Sequence, residues 1–101
     1  MTDERTIFAE IEAVLADRGE TRLDRLEHTL TSGYAAALAL EAERWRIERR
    51  IAEAAALVRG TGDAEEIALL AGTLSTADAD LARLRAMLAR LRERAVAARA
   101  A

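Results

Sequence analysis

The chain has 101 residues and a mass of 11.0 kDa, enough for one domain and too little for two. Hydrophobic residues make up 51% of it, but 25 of those residues are alanine, and there is no Pro, Cys or Lys. This excludes a disulfide scaffold, a Cys-ligated zinc site and a redox thiol, and with one His, at position 28, and no Cys or Ser–His constellation, most enzyme classes are remote.

Charge divides the chain unevenly. The 18 acids against 15 arginines give −3, yet residues 1–20 carry six acids and two Arg while residues 81–101 carry six Arg and one Glu. The basic end could touch phosphates, but with a pI near 5.2 and no aromatic stacking residues around those arginines, nucleic acid is not the partner expected. No stretch approaches the roughly 18 uncharged apolar residues of a membrane span. The opening MTDERTIF places acids where a signal peptide needs bases, so the expected location is cytoplasmic.

Abundant Ala, Leu, Glu and Arg point to long helices or coiled coil. The first helix is expected over about 3–18, with Thr2 as N-cap, Asp3 and Glu4 in the first turn, and Ile7, Ile11 and Val14 at helical spacing. Gly19 is the expected terminator, and Thr21 with Asp24 forms a weak capping-box pattern for the start of a second helix.

The second helix is expected over about 22–59. Its seam runs through Leu23, Leu26, Leu30, Gly33, Ala37, Leu40, Arg44, Ile47, Ile51, Ala54 and Val58. A turn over 60–63, Gly-Thr-Gly-Asp with Asp63 as N-cap, separates it from a third helix over about 64–99. There every seam position is apolar: Ile67, Leu70, Leu74, Ala77, Leu81, Leu84, Leu88, Leu91, Ala95 and Ala98. Gly72 and Ser75-Thr76 are weak points, but the seam phase passes through them without slipping, so a continuous helix is expected.

Two long helices joined by a short turn fold back as an antiparallel hairpin. The register pairs Ile51 with Leu74, Ile47 with Ala77, Ala37 with Leu88 and Gly33 with Leu91, and on the flanks Glu41 with Arg85 and Glu27 with Arg99. The expected fold is therefore all-α: a long antiparallel coiled-coil hairpin with a shorter N-terminal helix, a single domain that dimerises into a four-helix-type bundle.

Two irregularities are the candidate sites. Arg44 interrupts the seam near Glu48, Asp78 and Asp80, and is read as a register-setting polar layer in which an arginine stem covers the seam while its head reaches acids. A metal site built from these carboxylates lacks the Glu-x-x-His element of di-iron bundles, so no metal or other cofactor is expected. The second irregularity is an apolar stripe outside the seam, formed by Tyr34, Leu38, Trp45 and Ala52, which holds the only Trp and the only Tyr. The first helix, a second copy or another protein is available to cover it. The function expected is a non-enzymatic protein–protein interaction module, a homodimeric hairpin scaffold or regulator. The alternative is a small helical chaperone or adaptor whose stripe holds an amphipathic helix of a client.

Overall fold

The computed structural model describes residues 4–17, 22–57 and 61–100, and among these every regular element is helical. The elements are α1 (Glu4–Ala16), α2 (Leu23–Ala56) and α3 (Thr61–Ala100). The expected cap at Thr2, terminator at Gly19 and capping residue Thr21 lie outside the described residues. No described helix is long and apolar enough to cross a membrane.

The first turn of α2 closes on Arg22, whose carbonyl accepts from the N–H groups of Arg25 and Leu26 at 3.1 Å each. The Asp24 carboxylate also accepts from the Arg25 N–H at 2.9 Å, placing negative charge at the positive end of the helix. At the other end Leu57 N–H bonds the Ala54 carbonyl at 3.2 Å, a tightened last turn that stops α2 three residues before the expected limit.

The beginning of α3 corrects the expected turn. Thr61 to Asp63 already belong to the helix, so Asp63 is a first-turn residue rather than the N-cap. The physical reason is that glycine weakens a helix through backbone entropy but does not forbid the helical conformation, so Gly62 does not keep the helix from starting at Thr61. Farther along, α3 runs through Gly72, Ser75 and Thr76 without interruption. The hydroxyls of Thr73 and Thr76 donate back to the carbonyls of Leu69 and Gly72, at 3.1 and 3.2 Å, so these side chains follow the helix instead of breaking it.

The chain divides into two compact units. The first comprises Met1–Leu38 with Ala82–Ala101, and the second Ala39–Leu81. In each unit residues of α2 pack on residues of α3, as a hairpin requires. All ten expected seam positions of α3 are buried or half-buried, and so is every described seam position of α2 except Arg44.

Unit 1 is three helices thick. Ile7, Ile11 and Val14 of α1 are almost wholly excluded from solvent, together with Leu26 of α2 and Leu84 and Leu91 of α3. The three helices converge at Gly33. A Cβ there would lie 2.3 Å from Leu88 Cδ2 and 3.6 Å from Ile11 Cδ1, so the missing side chain is the space into which Leu88 fits. Leu88 thus reaches Gly33, one turn from the Ala37 partner expected by register. On the flank Glu27 accepts from Arg99 at 2.8 and 3.0 Å, as expected.

Unit 2 is two helices thick. Leu40 and Leu81 are buried in it, and Ile47, Leu70 and Ala77 form a cluster against which Ile51 and Leu74 are only partly buried. The expected pairs of Ile47 with Ala77 and Ile51 with Leu74 fall within this one cluster. The contrast with unit 1 is a matter of layers, because two helices alone cannot enclose a seam on all sides.

Candidate interaction surface

Helical periodicity sets the outward face of α2. With about 100° per residue, Tyr34 and Leu38 project together, as do Trp45 and Ala52 a little farther on. In unit 1 Tyr34 is 43% exposed and Leu38 67%, even though α1 belongs to the same unit. The first helix therefore spends its apolar side on the Gly33–Leu88 region and leaves these two residues uncovered. In unit 2 Trp45 is 57% exposed and Ala52 is also exposed. The Arg49 guanidinium sits 4.9 Å from the centroid of the Trp45 ring, a cation–π contact on the same helix that leaves the rest of the indole open.

The polar layer assembles in part. Arg44 forms an ion pair with Asp78 across unit 2 and a second with Glu48 at 3.4 Å, one turn along its own helix. The side chains of all three are nearly half exposed, so the arginine head reaches water and neither charge carries a full desolvation cost. Asp80 is half-buried and stands outside this cluster, making no ion pair with a described residue. It faces away because residues 78 and 80 are two apart on a helix and do not share a side. Among the described residues no group of three or more His, Asp or Glu side chains is arranged to hold a metal ion.

Sequence reasoning did not find how α1 is held. Arg94 of α3 donates Nη1 to the carbonyls of Val14 and Asp17, at 2.8 and 3.1 Å, and Nη2 to the carbonyl of Leu15. Val14 and Leu15 lie in the last turn of α1 and Asp17 just beyond it, where among the described residues only the Val14 carbonyl takes a backbone donor, the Asp17 N–H at 3.3 Å, so a cation placed there meets both the hydrogen bonding of these carbonyls and the helix dipole. One turn or more earlier, Arg83 pairs with Glu12 and lies 4.5 Å from the Phe8 ring centroid. Arg83 and Arg94 are eleven residues apart, three turns, and so share a face of α3. That spacing was visible in the sequence, but nothing in it said that α1 would lie there.

Comparison with protein-family models, with curated proteins and with solved structures finds no match to this chain. The functional reading rests on its own residues.

Proposed function

We propose that the chain is a non-enzymatic protein–protein interaction module that forms a homodimer, with the α2–α3 hairpin acting as a coiled-coil scaffold. The single observation that carries this reading is Trp45. It is the only tryptophan of the chain, it lies on the outer side of α2 in the thinner unit, and more than half of it is exposed. Large aromatic side chains with one charged neighbour are typical anchors of protein interfaces.

A second copy is the occupant that unit 2 favours. Its apolar core is a single layer between two helices, with Ile51 and Leu74 only partly buried, and thin domains gain stability by association. Laying unit 2 of one copy on unit 2 of another makes four helices, covers Trp45 and Ala52, and gives the partly exposed Ile51 and Leu74 seam a further layer at its margins.

The test is absolute mass by light scattering in the low micromolar range. The expected value is twice the 11.0 kDa chain, about 22 kDa. Trp45→Glu is expected to return the mass to that of one chain with its helical circular dichroism intact. A wild-type mass of 11 kDa throughout that range, or a Trp45→Glu protein that still dimerises there, would overturn self-association through this face. A monomer that instead captures an amphipathic helix through Trp45 would favour the adaptor reading.

A further inference from the structure

Unit 1 has an open groove between α1 and α3, bordered by the contacts that hold α1. Two adjoining hollows of about 500 and 270 Å³ share Leu15 and Arg90 as lining residues. Half-buried Leu15 and buried Met87 supply its apolar floor, and Ala86 and Ala97 line it on α3. Three arginines border it, and two are already engaged. Arg83 holds Glu12, and Arg94 holds the end of α1. The Arg90 side chain is exposed and forms no ion pair or hydrogen bond with any described residue, and the same holds for the Glu93 side chain beside it.

The order of these residues is self-complementary. Ala86, Arg90, Glu93 and Ala97 are spaced four, three and four apart, which keeps them on one face of α3 over about 16 Å. When a second α3 is laid antiparallel on this face about a two-fold axis, Arg90 of each copy meets Glu93 of the other. Ala86 of each then meets Ala97 of the other, and these small side chains let the helix axes come close. A two-fold contact needs a patch that complements itself in this way. A foreign acidic or basic helix would satisfy Arg90 or Glu93 but not both.

We propose that this groove is a second self-association face, where α3 of one copy seats antiparallel on α3 of another, with α1 of each copy flanking the contact through Leu15. The face goes beyond the Trp45 contact and does not depend on it. With exposed ion pairs at its centre and alanines around them, it is a weak contact that weakens further as salt rises. A protein carrying both faces dimerises through one and grows into larger assemblies through the other as concentration increases.

The experiment uses the full chain with Trp45→Glu, which removes the other face, and follows its mass by sedimentation equilibrium up to several hundred micromolar. Reversible dimerisation is expected in low salt. Arg90→Glu added to that background should weaken it about tenfold or more, and so should Glu93→Arg. The double reversal Arg90→Glu with Glu93→Arg should restore it, because the pairing is preserved with its signs exchanged. An equimolar mixture of the two single reversals should give a heterodimer tighter than either alone. All of these substitutions are at exposed helical positions and are expected to leave the circular dichroism unchanged. The proposal is overturned if the Trp45→Glu chain stays monomeric, if Arg90→Glu associates as tightly as its parent, or if the double reversal fails to recover association. Should Trp45→Glu have no effect on the low-micromolar mass, the Trp45 reading fails by itself, and the same charge reversals in the wild-type chain still decide this one.

Discussion

Replacing glycine by alanine at Gly33 and at Gly72 makes the same chemical change in the interior of two helices, and opposite outcomes are expected. Alanine is favoured over glycine in a helix interior by about 0.8–1.0 kcal/mol, so propensity alone stabilises both variants equally. At Gly72 an added Cβ meets nothing within 4 Å, and the gain is expected in full. At Gly33 the Cβ falls 2.3 Å from Leu88 Cδ2, more than an ångström inside ordinary contact, and Leu88 is itself buried. Room has to be made by turning Leu88 off its rotamer or by moving α3 away, and overpacking of that kind costs about 1–3 kcal/mol. Setting the propensity gain against it leaves Gly33→Ala neutral to about 2 kcal/mol destabilised, and separates the two variants by about 1–3 kcal/mol. For a chain of this size about 1 kcal/mol moves the thermal midpoint by 4–8 °C, so circular dichroism melts at one fixed protein concentration resolve the difference. Equal upward shifts for the two variants would refute the close approach of Leu88 to Gly33. The double variant Gly33→Ala with Leu88→Ala checks the cause, since its cost should fall short of the sum of the single costs.

Arg94→Ala is expected to destabilise unit 1 by about 1–2 kcal/mol by removing the guanidinium and its hydrogen bonds from the Val14, Leu15 and Asp17 carbonyls at the end of α1. Hydrogen exchange should show it as faster exchange of α1 amides, and unchanged protection there would deny the arginine its capping role. Arg44→Leu is expected to change stability by less than about 1 kcal/mol, because the ion pairs it removes are nearly half exposed and the new side chain fills a seam position. A loss of several kcal/mol in urea unfolding would show that the Arg44–Asp78 contact is worth far more than its exposure implies.

The hairpin was legible in the sequence because both of its determinants are local. The seam repeat marks the buried side of each long helix, and the glycines near residue 60 mark where the chain reverses. The limits of the helices were read less well. Asp63 resembles an N-cap by residue type, yet the chain becomes helical two residues sooner, since a glycine weakens a helix without forbidding it. The docking of α1 was not legible, since its Ile7, Ile11 and Val14 stripe fits any apolar groove of suitable length. Which groove it takes depends on features far apart in sequence: the gap at Gly33, and arginines at 83 and 94 placed to meet Glu12 and the end of α1. The ion pairs of Arg44 with Glu48 and Asp78 follow from spacing that permits contact, whereas the spacing of Asp80 from Asp78 places it on another side of α3.

The location of the aromatic residues has an optical consequence. Trp45 is the one strong ultraviolet emitter, and it lies in unit 2, whereas Phe8 and Tyr34 belong to unit 1. Intrinsic tryptophan fluorescence is therefore a report on one half of the chain. Because the indole is already largely in contact with water, melting of its own helix should shift the emission little, and release of α1 should leave it unaltered. A marked blue shift on raising the concentration has one ready source in this chain, the arrival of another surface over Trp45.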